Sequence, residues 1–463
     1  MKKIILTIII TMIYNFSLAQ IVILNNQIDV DNFATNYPGD NTFTSIRINA
    51  SYISNLNGLS QVTEITGDLH IASLENNYLL TDISGLYNLT NVGGRIYLSD
   101  LKFIDATNLF PNLIQVGSSV SGNALTIDGL TPSAINGFNS LINITGDLVI
   151  VDTTTLITLS GFNSLIKVNI SNNDIGSVFI INNSALTTIN GFGNLQEIGW
   201  NYDILGNPNL TSLPNTPNLT IIGNSIRVQY CNSLTNLIGI SSVTSPVNGG
   251  LEIVRNNNLI NLNGLNGLTI CNGINISNNS LLSDLSALSS LATFHAMPIL
   301  NRPSINVYDN TSLSSLTGLD NIDGSTIGNV TIKNNPNLSL CAIESFCEKI
   351  AFDSNLSGFT QVNNNLTNCN SAGEINAVCQ ILSINENPKR NTFTAYPNPV
   401  KTLLYLSNYE NINVVILSDV LGKLRIKKVA ENNTVDVTDL EKGVYFIQAT
   451  LNNRMETVKF IKE

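Results

Sequence analysis

Charge is what this chain of 463 residues has least of. Asp, Glu, Lys and Arg together make up 12% of it, about half the fraction usual in a soluble globular protein. Histidine occurs twice, at His70 and His295, and tryptophan once. No H-E-x-x-H, G-x-S-x-G or phosphate-cradling glycine loop is present, so the usual starting points for an enzyme are missing. No cofactor motif or metal-ligand set appears either. The 22 Lys/Arg are outnumbered by 33 Asp/Glu, a net charge of −11. The acidic balance, with no basic patch and no interleaved aromatics, argues against binding to nucleic acid or an anionic membrane. Long apolar runs are also lacking: after the first segment, none approaches the ~20 residues a membrane-spanning helix needs.

Apolar residues nevertheless make up 43% of the chain, too many and too regularly spaced for disorder. Asn, Ser, Thr and Gly supply the polarity, as stacked β coils with amide-rich corners require. Residues 20–392 carry eleven Lys/Arg against 25 Asp/Glu, whereas residues 393–463 carry nine against eight. The acidity therefore belongs to the body of the chain. The first residues read as an export address. Lys2 and Lys3 precede an apolar stretch from Ile4 to Ile13, and Ser17-Leu18-Ala19 gives a small-x-small cleavage site. Cleavage between Ala19 and Gln20 is expected. Export would place the mature chain where disulfides persist.

A repeat occupies most of the chain. Its unit approximates N-x-L-x-x-I-x-G-x-L-x-I-x-N-N-x-x-L-x-x-L-x-G-F/L. The strand core appears at Gly67-Asp68-Leu69-His70-Ile71, followed by Leu79, and at Gly146-Asp147-Leu148-Val149-Ile150, followed by Leu156. Further copies start at Ser177, Ser225, Gly250, Gly273 and Asn329. A small polar residue follows each strand: Asn76, Thr153, Asn183, Asn207, Cys231, Asn256, Asn278, Asn310 and Asn335. Ala50, Asp100 and Gly122 hold the matching place in degenerate copies. From Ala50 to Asn335 this makes twelve coils over 285 residues, near 26 residues each. The x-L-x-I alternation puts Leu and Ile inside and x outside. A lone coil cannot bury its apolar side and must stack on neighbours. An asparagine leaving the strand can bond the unpaired backbone and accept left-handed φ. Cys231 in that row reads as a buried structural thiol.

These repeats resemble those of bacterial leucine-rich-repeat surface proteins, and the L-x-x-I-x-G-x-L-x-I core resembles the receptor L domain. The likeness covers about residues 45–340 and implies a right-handed leucine-rich-repeat-like β-solenoid. Coils near 100–140 and 285–305 depart from the pattern. Residues 20–44 are expected to cap the first end and residues 341–379 the second, where Ile343, Phe346 and Ile350 have helical spacing. Cys341, Cys347, Cys369 and Cys379 cluster there with 5, 21 and 9 residues between them. Those spacings fit two disulfides better than a four-thiolate zinc site. Spacing alone leaves three pairings open. The resemblance to caps of extracellular leucine-rich repeats implies Cys341–Cys369 and Cys347–Cys379.

After a polar linker, residues 380–392, the pattern changes to alternating strands with tight turns, at 402–407, 412–418, 424–430, 434–437, 443–451 and 454–462. A small Ig-like β-sandwich is expected over residues 393–463. Tyr396-Pro397-Asn398-Pro399, the Asp419–Lys423 turn with Gly422 and Lys423, Gly443-Val444-Tyr445, and a last strand containing Lys459 occur in that order. This segment resembles the type A sorting domain of the type IX secretion system of Gram-negative bacteria. The resemblance implies as partners the outer-membrane translocon and a sortase-like protease, with lipopolysaccharide attachment as one fate of the cargo. It also implies a location that is secreted or on the outer-membrane surface.

In the solenoid, the outward strand positions suggest binding. Val149, Val151, Phe179, Ile181 and Leu205 fall on the solvent side of three consecutive strands, with Tyr97, Arg227, Gln229 and Tyr308 on the same sheet. Exposed apolar stripes mark partner sites. A one-residue register slip would instead bury them. Outward charges at Asp203, Arg227, Glu252 and Lys333 alternate in sign, unlike the carboxylate cluster of a polysaccharide lyase. An exported adhesin or recognition scaffold for proteins or glycans is the expectation, with a glycan-active enzyme as the alternative.

Overall fold

The computed structural model describes residues 21–75, 77–117, 122–169, 175–244, 248–295, 303–385, 395–406, 412–419, 423–428, 434–451 and 454–463. The expected leader, Ala19, Gln20, Asn76 and Gly422 lie outside them. The chain divides into two compact units at Gln380.

The first unit is a β-solenoid. Its principal sheet has fourteen parallel strands, in chain order from Ile21–Leu24 to Phe359–Asn363. Twelve of these, from Ser45–Asn49 to Val330–Lys333, are the expected coils. Each cap adds one more strand. The strands are short because each coil must turn back after four to six residues, and they alternate as the sequence requires. In Val178–Ile181, Val178 and Ile180 point into the core, while Phe179 and Ile181 point out. A second sheet of eight very short parallel strands runs from Thr42–Phe43 to Ile221–Ile222. Between the sheets, inward Leu, Ile and Val form one continuous core. Each fully buried aliphatic side chain contributes about 1.5–3 kcal/mol. Phe110, Phe138, Phe162 and Phe192 stack through it, with centroids 5.7, 5.3 and 5.1 Å apart. Coils approach so closely that a Cβ on Gly85 would lie 1.6 Å from the Leu56 carbonyl oxygen.

The asparagine row is a hydrogen-bonded ladder. Asn256 accepts the Cys231 N–H at Oδ1 (3.0 Å) and donates from Nδ2 to the Val228 carbonyl (2.9 Å), both on the preceding coil. Asn183, Asn207, Asn279, Asn310, Asn335 and Asn365 repeat this two-pronged contact. Cys231 takes its place in the row by directing its thiol to the Ile204 carbonyl at 3.5 Å.

Four expected positions are corrected. The ladder residue is Asn279, not Asn278, and the apolar residue after the Gly67–Ile71 strand core is Leu80 rather than Leu79, which stays exposed. Asp100, like Asn278, is the left-handed corner residue just before the ladder position (φ 53° and 58°). Gly122 precedes its strand, Asn123–Asp128, and the corner after that strand is Gly129 (φ 61°).

At the first end, Asn26 caps helix Gln27–Asp31. Its side chain accepts from the Asp29 N–H while Asp29 accepts from the Asn26 N–H, a reciprocal capping box. Phe33, Tyr37 and Phe43 then pack ring to ring over the core. At the other end, helix Glu344–Asp353 lays Phe346 on the core. Cys341 pairs with Cys369 and Cys347 with Cys379, the pairing implied by the cap resemblance. Lys349 is also buried there, its Nζ held by Asp353 (2.7 Å) and the Ile327 carbonyl (3.1 Å). Helix Ala372–Asn385 continues into the segment expected to be linker.

The second unit is a small antiparallel β-sandwich. Ala395–Tyr396, Leu403–Leu406 and Thr434–Asp436 form one sheet, and Leu424–Lys428, Ile412–Asp419, Gly443–Leu451 and Arg454–Lys462 the other. Val400, Leu404, Leu417, Val435, Ile447 and Phe460 fill its core.

Asn256→Leu should destabilise the solenoid by about 2–4 kcal/mol, because the buried Cys231 N–H and Val228 carbonyl lose their partners. Asn256→Asp should not rescue it, since a carboxylate lacks the donor and carries a buried charge. Urea unfolding measures both, and a loss below about 0.5 kcal/mol would show that the ladder is not structural.

Candidate functional site

The in-register stacking turns the outward positions into two straight rows. One runs Arg47, His70, Tyr97, Thr126, Val149, Phe179, Asp203, Arg227, Glu252. The other runs Ser99, Asp128, Val151, Ile181, Leu205, Gln229, Val254, Ser277, Tyr308. No register slip occurs at the expected stripe. Val149 meets Phe179, and Val151, Ile181 and Leu205 follow one another. These side chains shield each other: Val149 is 9% exposed and the other four are partly buried. Together they make one apolar patch.

Charged and polar groups border the patch. Arg227 clasps Asp203 with two bonds, Nε at 2.7 Å and Nη2 at 2.5 Å. Burial raises the Asp203 pKa, with Arg227 opposing the shift, and the carboxylate in turn raises that of the guanidinium. Gln229 donates to Glu252 at 2.8 Å. On the other flank, the Tyr97 hydroxyl donates to Asp128 at 3.0 Å, and its ring lies 4.9 Å from that of His70. Burial and the Arg47 charge lower the His70 pKa, opposed by Asp68. Tyr308 is separate from this group. Three strand steps divide it from Gln229, and its ring is 5.6 Å from the Lys333 ammonium. Of the nine expected residues, the structure thus joins seven into one region, with Tyr97 two steps off and Tyr308 beyond reach.

A broad groove of about 870 Å³ lies elsewhere, beside the second sheet. Ile114, Ile142 and Ile166 line it, with Thr63, Asn88 and Gln196 among its polar neighbours. They precede strands of only two or three residues, too short to leave a periodic signal. The two free thiols, Cys231 and Cys271, are buried, and burial pushes both up to about 12, which makes them inert at neutral pH.

In the C-terminal unit the expected motif does structural work. Asn398 grips the last strand from both sides, donating to the Lys459 carbonyl (3.2 Å) and accepting from the Ile461 N–H (2.8 Å). Tyr396, between Ala395 and Pro397, stacks on Tyr405 at 5.8 Å. Pro397 and Pro399 flank Asn398, and Val400 donates to the Ile461 carbonyl at 2.8 Å. Lys423 donates its N–H to Asp419 at 3.0 Å. Tyr445, two residues after Gly443, is buried on Phe460 with its hydroxyl donating to the Glu441 carbonyl at 3.0 Å. The Lys459 side chain is exposed.

The fold and its rows define a leucine-rich-repeat-like β-solenoid followed by a small antiparallel sandwich. Residues 244–351 match the family model of the receptor L domain, and residues 394–463 match that of the secretion system C-terminal sorting domain. No curated protein matches the chain. The sorting-domain match gives a secreted or outer-membrane surface location and the type IX secretion machinery as a partner. The receptor L match covers only the later coils, yet the same strand register runs from Ser45–Asn49 to Val330–Lys333.

Arg227→Ala should cost about 1–3 kcal/mol, since the Asp203 carboxyl (side chain 2% exposed) would be left without its cation. Asp203→Leu combined with Arg227→Leu should recover most of that loss by extending the apolar patch. Thermal unfolding of both variants checks this, and equal losses would show that the pair is not coupled.

Proposed function

We propose that the chain is an exported recognition scaffold, an adhesin in kind, whose solenoid binds a protein or glycan partner and catalyses nothing. The observation that carries this reading is the apolar patch of Val149, Val151, Phe179, Ile181 and Leu205, held outward on a rigid sheet with a polar border. Contiguous outward apolar surface of this kind favours a partner. Against catalysis, carboxylates on that face are engaged. Asp203 is held by Arg227, Glu252 by Gln229 and Asp128 by Tyr97. A pair of free, closely set carboxylates is what glycan cleavage uses.

Delivery belongs to the second unit. By the resemblance, the folded sandwich is recognised by the translocon, and a sortase-like protease removes it before the cargo is released or joined to lipopolysaccharide. Asn398 supports this reading, because it fastens the terminal strand on which an intact sandwich depends.

Phe179→Asp should abolish most binding to partner cells while lowering the melting temperature by no more than a few degrees. A large loss of stability would mean that Phe179 is core, and unchanged binding would mean the patch is not the site. Deleting residues 393–463 should leave the solenoid in the periplasm, as read by cell fractionation; undiminished surface display of the truncated chain would overturn the delivery role.

A further inference from the structure

Each coil strand from Asp147–Val151 to Val330–Lys333 ends in a corner residue with left-handed backbone: Asp152, Asn182, Gly206, Tyr230, Arg255, Asn278, Asp309 and Asn334, with φ between 54° and 68°. Asn, Asp and Gly enter that region readily, but bulky side chains do so only under strain. Tyr230 and Arg255 are the exceptions in this row. Folding alone would be served better by the asparagine found at Asn182, Asn278 and Asn334. Strained residues of this type gather at ligand sites.

The two exceptions touch. Arg255 Nη1 donates to the Tyr230 hydroxyl at 2.7 Å, and its guanidinium carbon lies 5.1 Å from the centre of the ring. Both side chains are exposed, Tyr230 at 44%. The corner preceding Tyr230 is Gly206, which has no side chain to cover the ring. With Asn257, Asn278, Ser280 and Asp309, the pair lines a cleft of about 400 Å³, a size suited to a small ligand. The carboxamides of Asn257 and Asn278 make no hydrogen bond with the described residues. Asp309 accepts from Asn334 at 2.9 Å through one carboxylate oxygen, which leaves the other for a ligand.

We propose that this corner cleft is a binding site for a neutral saccharide. An aromatic ring gives the C–H face of a pyranose a surface to pack against. Sugar hydroxyls both donate and accept, and carboxamides answer both needs. Arg255 supplies further donors and Asp309 a further acceptor. Their opposite charges cancel within the cleft, which disfavours an acidic sugar. The site lies on the corner edge, not on the apolar patch, and stands independently of the role proposed for Phe179.

The test uses the full-length secreted protein and isothermal titration with cello-, xylo-, manno-, malto- and chito-hexaoses, with a homogalacturonan hexamer as the acidic control. At least one neutral hexaose should bind at a single site and more tightly than homogalacturonan. Tyr230→Asn should weaken that binding at least tenfold while leaving the melting temperature unchanged or raised, because asparagine suits the left-handed corner. Phe103→Asn, at an exposed position outside both the cleft and the apolar patch, should leave it intact. The inference is overturned if none of the five neutral sugars binds, if homogalacturonan binds best, or if Tyr230→Asn binds as wild type.

Discussion

No coil of this protein is stable by itself: its apolar side is buried only when the next coil covers it, and its strand is paired only with its neighbours. The repeat of one chemical environment along the stack governs everything else. A residue type placed at a given position faces its own counterpart about 4.8 Å away on the next coil. Only side chains compatible with themselves can form a row. Leucine and isoleucine satisfy this in the core, and so do the stacked rings of Phe110, Phe138, Phe162 and Phe192. A carboxamide satisfies it at the corner, because it offers an acceptor to one backbone group and a donor to another at the same time.

The same rule accounts for the scarcity of charge. A row of like charges at strand spacing repels, so a charge tolerates the row only beside its opposite or a neutral residue. Asp203, Arg227 and Glu252 do this by alternating. Thr, Asn and Ser fill much of the remaining outward surface. On the outward rows the carboxylates are paired, Asp203 with Arg227, Glu252 with Gln229 and Asp128 with Tyr97, beside side chains that hydrogen-bond without ionising. The recognition role proposed above rests on such a surface.

Much of this was legible beforehand, and the failures have local causes. The repeat gave the number of coils, because the inward Leu and Ile positions must stay apolar to keep water from the core. Register slipped by one where the sequence doubles its own signal. In Asn278-Asn279 and Leu281-Leu282 either residue satisfies the pattern, and only the ladder geometry separates the corner residue from the bonded one. Gly122 misled for another reason, since glycines both enter and leave strands here. The groove beside Ile114, Ile142 and Ile166 gave no warning, for strands of two or three residues have no period to detect. Lys349 likewise reads as a surface residue of a cap helix until Asp353 and the Ile327 carbonyl enclose it.

Because the coils are so constrained, departures from the rule carry more information than agreement with it. A row that accepts Asn, Asp or Gly at nearly every corner has no folding reason to place tyrosine and arginine at two adjacent ones. The apolar outward patch is a departure of the same kind, since threonine or asparagine would serve the sheet's exterior at lower risk of aggregation. The two departures sit on different sides of the strand end, one on the sheet face and one past its corner, so one rigid scaffold presents an apolar surface and a polar cleft to different chemistries. Rigidity is what makes both usable: a side chain fixed by a ladder of backbone and amide bonds loses little further entropy when a ligand arrives. The interaction that lets the coils fold therefore also fixes the two surfaces on which the proposed binding rests.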